Sequence, residues 1–188
     1  ETAIPGTARL TIGIQPSDDE GLADALSVLS EYPYGCIEQT TSRFVPGLAA
    51  AAALESLGRP NPALRDRFRA IAGTGIARLY HLQNGDGGWG GGGGTSSDPL
   101  MTGYALAGLE RCRRMGLTVE ETPLARGRAA AVTLLAAAEP SAKALLLAAL
   151  ALGERAEPAA MNAMYRVREA LPTSAAARLA IAPPGSGA

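Results

Sequence analysis

Aromatic residues make up only 4% of this 188-residue chain, and there is a single histidine, His81. One imidazole and two cysteines, Cys36 and Cys112, are too few for a zinc cluster or a disulfide framework, and no cofactor is implied. A Cys36–Cys112 bridge stays open in an oxidising setting, although nothing in the spacing demands it. Neither sign of charge is in excess. Seventeen Lys and Arg stand against eighteen Asp and Glu, which removes the electrostatic case for nucleic acid or an anionic membrane as partner. Long hydrophobic runs are missing as well. The longest strongly apolar stretch, Ala144 to Leu152, falls far below the ~20 residues of a bilayer span, so direct membrane insertion by this segment is not expected. No basic-then-apolar leader opens the chain.

What is abundant is alanine and leucine, in segments of helical length. Together with the scarcity of aromatics this favours an all-α fold in one domain. The exception is the alternating stretch Ala8 to Ile14, bounded by Pro5-Gly6 and Pro16, which reads as one β-strand. A lone strand is best explained as the end of a preceding β-domain or linker covering residues 1–17. From residue 18 to 182 the punctuation by Gly, Pro and capping residues marks about eight helices. The first carries Leu22, Ala25, Leu26 and Leu29. The second runs from about Cys36 to Leu57, where Pro46 predicts a kink or break. The others cover Pro62 to Gln83, Asp98 to Met115, Glu120 to Ala138, Ser141 to Leu152, Pro158 to Ala170 and Ser174 to Ile181. Residues Asn84 to Ser97 are too glycine-rich for regular structure and read as a loop. The stretch 183–188 reads as a flexible tail. Short connections between helices predict antiparallel hairpins stacked as a bundle, a solenoid or an α/α ring.

The segment Tyr32-Pro33-Tyr34-Gly35-Cys36-Ile37-Glu38-Gln39 carries the chemistry. Cys36 and Gln39 stand three apart at an expected helix start, so their side chains share a face. A thiolate pressed against a carboxamide carbon can attack it and expel ammonia, leaving an internal thioester. Helix N–H groups would stabilise the tetrahedral oxyanion, and Gly35 would let backbone approach closely. Water must be kept from such a bond, and Tyr32 and Tyr34 offer apolar faces for shielding it. Glu38 would cap or orient the motif helix. By spacing alone, a Cys and a Gln three apart are more often a buried thiol and a surface amide.

The pair does not stand alone. Tyr32 to Pro46 resembles the thioester motif of bacterial α2-macroglobulins, Tyr-Pro-Tyr-Gly-Cys-x-Glu-Gln followed by Ser/Thr-Arg and a Pro. Leu82 to Gly90 and Ser97 to Leu106 resemble that family's next two blocks, in the same order. The resemblance is sharp from about Tyr32 to Leu109. It implies an α/α toroid of helical hairpins, in which Cys36 and Gln39 form the thioester and Tyr32 covers it. It further implies an exported protein, periplasmic or extracellular, that is not a turnover enzyme. Cleavage of a bait segment would expose the bond, and an attacking protease would be acylated by Gln39 and trapped covalently. Other domains of the parent chain would be further partners. Complement relatives relay the acyl group through a downstream histidine, whereas His81 lies before the Thr102-Gly103-Tyr104 block and takes no such role.

Two rival readings accompany this one. The run Gln83 to Trp89 also resembles the Gln-Trp repeat of terpenoid cyclases and prenyltransferase-like toroid enzymes, although no Asp-x-Asp-Asp cluster or zinc set accompanies it. A purely non-covalent helical-repeat binding module is the other. Asp86 alone among glycines offers too few oxygens for calcium, so the Gly85 to Trp89 loop reads as a hairpin connection with Trp89 packed on helices. Cys112 reads as a buried small hydrophobe and Arg111, Arg113 and Arg114 as a solvated helix face.

Overall fold

A computed structural model describes residues 36–91 and 96–181. The strand expected at Ala8 to Ile14, the Leu22-to-Leu29 helix and the tail from residue 183 lie outside the described residues. Those described form an all-α structure of seven α-helices: α1 (Ile37–Ser56), α2 (Pro62–His81), α3 (Pro99–Arg114), α4 (Glu121–Leu134), α5 (Pro140–Leu152), α6 (Pro158–Arg166) and α7 (Thr173–Ile181), with a 3-10 turn at Arg168–Ala170.

Start signals fall where the sequence put them. Asn61 and Asp98 cap α2 and α3 by accepting the N–H of Leu64 and Met101, each just ahead of a proline in the first turn. The ends of α1, α3 and α5 share one device. The N–H groups of Arg59, Leu117 and Arg155 reach back to Leu54, Cys112 and Leu150, while Gly58, Gly116 and Glu154 take positive φ of 71°, 73° and 59°. These are Schellman turns. Glycine adopts that conformation freely, whereas Glu154 holds it against the clash of its own Cβ.

Pro46 does not break α1. The helix runs through it from Ile37 to Ser56. The proline and Ser42, whose carbonyl loses its helical donor, both lie on an exposed side, where water can serve that carbonyl. Two other helices are shorter than their patterns suggested. Helix α4 ends at Leu134 and passes through a turn to Glu139, extended at ψ 154° ahead of Pro140, and α6 tightens into the 3-10 turn after Arg166.

Helix α1 packs on α2 and α3 on α4, while α1, α3, α5 and α7 also pack in succession, the α3–α5 contact being the most extensive. The odd-numbered helices thus form one row, with α2 and α4 laid against it. Contacts between α1 and α2 run in opposite orders: Phe44 lies over Gly75 and Phe68 over Gly47. Those between α3 and α5 run in the same order, from Gly103 against Leu145 to Arg114 against the carbonyl of Leu152. The α1–α2 hairpin is therefore antiparallel, and α3 and α5 run parallel. The starts of α1, α3 and α5 share one end of the domain with the close of α2.

Phe44, Phe68 and Trp89 are the largest fully buried side chains, and around them the core is mostly leucine and alanine. One buried charge is tied in. Glu110, with no exposure, accepts from Arg128 Nε at 2.7 Å and from Arg113 Nε at 3.1 Å, and Arg128 holds Glu121 at 2.8 Å. Desolvation works against the charge on Arg128, but the bonds to Glu110 outweigh it and raise its pKa above the ordinary value.

A Cβ on Gly47 would overlap the Phe68 ring. Gly47→Ala should cost about 1–3 kcal/mol in urea unfolding by overpacking the α1–α2 seam. Glu154→Gly should instead add about 1 kcal/mol, because it removes a left-handed L-residue from the Schellman turn.

Candidate functional site

Cys36 is the residue that opens α1. Its backbone is extended (φ −70°, ψ 167°), and its Sγ accepts the N–H of Gln39 at 3.4 Å. Reciprocally, Gln39 Oε1 accepts the N–H of Cys36 at 3.4 Å. The pair forms a capping box in which a thiol and a carboxamide take the places usually held by a hydroxyl and a carboxylate. Both side chains accordingly lie over the same first turn. Ile37 and Thr40 between and beside them are buried, and the Thr41 hydroxyl donates to the Ile37 carbonyl at 2.9 Å, so the turn is fixed from its inner side. Cys36 itself is exposed and Gln39 half-buried. Glu38 is exposed in the first turn, where its charge complements the helix dipole. Tyr32, Tyr34 and Gly35 lie outside the described residues.

The glycine-rich connection between α2 and α3 lies at the same end. Trp89 is fully buried, its indole N–H donates to the Leu79 carbonyl at 2.8 Å, and its backbone N–H donates to the Thr102 hydroxyl at 3.0 Å. Its ring lies against Gly127, where a side chain would collide. The Asp86 carboxylate takes the Ser97 hydroxyl at 2.6 Å and the Gly88 N–H at 3.1 Å; the Ser97 bond first, then Gly88, lowers its pKa. Asp86 thus closes the loop on itself, and Gln83 fastens it to α4 through the Pro123 carbonyl at 2.8 Å. Among the described residues no group of three His, Cys, Asp or Glu is arranged to hold a metal ion.

The other cysteine is not poised for chemistry. Cys112 is fully buried near the end of α3, and burial pushes its thiol up to about 12 from the ordinary 9.0. Both cysteines are free; Cys36 opens α1 and Cys112 lies near the close of α3, toward the opposite end, which is why no bridge joins them. His81 is exposed in the last turn of α2.

No family model matches the chain. Among curated proteins it is 38% identical over 104 residues to an alpha-2-macroglobulin of Thermotoga maritima, a match covering 55% of this chain and 6% of that protein. Among solved structures it matches Salmonella alpha-2-macroglobulin reacted with methylamine, at TM-score 0.64 and 26% identity over 87% of this chain and 12% of that one. Its likeness in sequence and in fold is to the bacterial alpha-2-macroglobulins. The chain spans only a small part of their length. A further match of the same kind is Escherichia coli alpha-2-macroglobulin activated by porcine elastase, at TM-score 0.57 and 26% identity over 73% of this chain and 14% of that chain. Drimenyl diphosphate synthase of Streptomyces showdoensis is also similar, 33% identical over 115 residues, 59% of this chain and 21% of that protein.

Cys36 and Gln39, which the sequence places three apart, share one helix turn in the fold, but several supporting residues were not foreseen. Thr102 and Ser97 sit inside a block that the family resemblance flagged, yet their bonds to Trp89 and Asp86 need the folded loop. Glu110 had a weak signal, an acid one turn from Leu106 and beside Leu109 on the inward face of α3. The three arginines of α3 do not form one solvated face: Arg113 pairs with Glu110, Arg114 donates to the Leu152 carbonyl at 2.7 Å, and Arg111 lines a cavity on the helix row.

Iodoacetamide should therefore leave Cys112 unmodified in the folded chain and label it only after denaturation. The raised thiol pKa also sets a pH dependence. Folded Cys112 keeps its proton while the unfolded thiol loses it, so stability is full below about pH 9 and falls between about 9 and 12, by ~1.4 kcal/mol per unit at most. Cys112→Ala should abolish that part of the alkaline slope in denaturant titrations.

Proposed function

We propose that this chain is the thioester domain of a bacterial alpha-2-macroglobulin-type protease inhibitor, comprising residues 18–182, and that Cys36 and Gln39 form its acylating bond. The observation that carries the reading is the reciprocal capping pair, which sets Sγ and the carboxamide of Gln39 on one turn with the Cys36 N–H directed at Oε1. Bond formation is an addition–elimination. The Cys36 sulfur adds to the Gln39 side-chain carbonyl carbon, negative charge builds on Oε1 beside the Cys36 N–H, and the C–N bond breaks with loss of ammonia. A protease amine or hydroxyl then adds to the same carbon, the C–S bond breaks, and the proton lost by the nucleophile ends on the Cys36 thiol. Each molecule acts once, so the domain is an inhibitor and not a turnover enzyme.

Support comes also from relatives, one solved after reaction with methylamine and another after activation by elastase. Tyr32 and Tyr34 take the shielding role, with Gly35 admitting close approach. Proteases and neighbouring domains of the parent are the partners, and the periplasm or the cell exterior is the compartment. The similarity to drimenyl diphosphate synthase favours one rival, a cyclase-like enzyme, in which Cys36 and Gln39 would be dispensable.

Mass spectrometry separates the two. Freshly purified protein at its full natural length should be lighter by one ammonia than its sequence mass, and methylamine should add at Gln39 while freeing one thiol at Cys36. Cys36→Ala and Gln39→Ala should each abolish both effects. A full sequence mass combined with no methylamine uptake would overturn the reading.

A further inference from the structure

On the helix row, side chains of α1, α3, α5 and α7 line a partly open cavity of about 210 Å³ that plays no part in the acyl chemistry. Val45, Ala107, Leu145 and Ala148 give it apolar walls, and two guanidinium groups, those of Arg111 and Arg178, border it. Among the described residues no carboxylate lines it. Arg178 touches Tyr104, its Nη2 lying 3.4 Å from the phenolic oxygen and its guanidinium 5.9 Å from the ring centroid. Arg111 has neither an ion pair nor a side-chain hydrogen bond among the described residues, although its neighbours Arg113 and Arg114 are both engaged. Partial burial lowers its pKa by desolvation.

We propose that this cavity binds a small amphipathic organic anion, with its carboxylate or phosphate between Arg111 and Arg178 and its apolar tail against Val45, Ala107 and Leu145. Guanidinium groups present paired donors that match either headgroup, and removal from bulk water strengthens the attraction. The volume sets the tail. A cavity of roughly 150 Å³ holds a benzene ring, so this one takes a single ring or a short alkyl chain but not a long acyl chain. The site is independent of the thioester reading, since none of its residues belongs to the acylating pair.

The test is calorimetric titration of the full chain with octanoate, octyl phosphate and neutral 1-octanol. Saturable binding of at least one anion is expected, at least ten-fold tighter than any binding of 1-octanol; which anion binds more tightly identifies the headgroup. Arg111→Met and Arg178→Met should each weaken the anion ten-fold or more, and Ala107→Phe, which fills the cavity and keeps both charges, should abolish binding. The Tm of unliganded Arg111→Met should equal or exceed that of the parent, since a desolvated charge is removed. No saturable heat with either anion would overturn the proposal. So would equal binding of 1-octanol, or an Arg111→Met protein with lowered Tm and unchanged affinity.

Discussion

The seam between α1 and α2 depends on two glycines that each accept a phenylalanine from the opposite helix, Gly47 under Phe68 and Gly75 under Phe44. Missing side chains let the two backbones come close enough for both rings to be fully buried. A Leu-on-Leu seam would hold the helices farther apart and let α1 slide along its axis. The interlock instead gives α1 one register, and register decides where its first turn ends up. Everything asked of Cys36 and Gln39 follows from that placement, because a capping pair is only as well positioned as the helix it opens.

The opening turn is held by different forces on its two sides. Inward, Ile37 and Thr40 are buried and the Thr41 hydroxyl ties back to the Ile37 carbonyl. Outward, the thiol and the carboxamide occupy the positions where a capping box normally has Ser or Thr and Glu. Ordinary helix-starting geometry therefore sets these two side chains over one turn. Across the same end of the domain, Trp89 is anchored to α2, and the Asp86–Ser97 clasp ties together the described parts of the stretch between α2 and α3.

Much of this was readable from the residues. Helix starts announced by Asn61-Pro62 and Asp98-Pro99 fell where expected, since a side-chain cap and a proline act locally and need no tertiary context. The Cys36–Gln39 pairing was legible for the same reason, being one turn of one helix. Pro46 misled, because a lost hydrogen bond breaks a helix only if the freed carbonyl cannot find water, and exposure is set by packing rather than by sequence. The arginines of α3 misled in the same way: three similar side chains within four positions point in three directions, and only the neighbours α4 and α5 decide which of them finds a partner. Burial of Glu110 was hidden too, since its partner Arg128 is eighteen residues away and on another helix.

The placement of the two cysteines has a consequence for oxidation. One sulfur is exposed at the start of α1 and the other is sealed near the far end of α3, with the intervening turns of helix between them. The folded chain therefore cannot quench its surface thiol by closing a ring within itself. Any disulfide at Cys36 must draw on a sulfur from outside the described residues, and the sealed Cys112 keeps its thiol whatever becomes of Cys36.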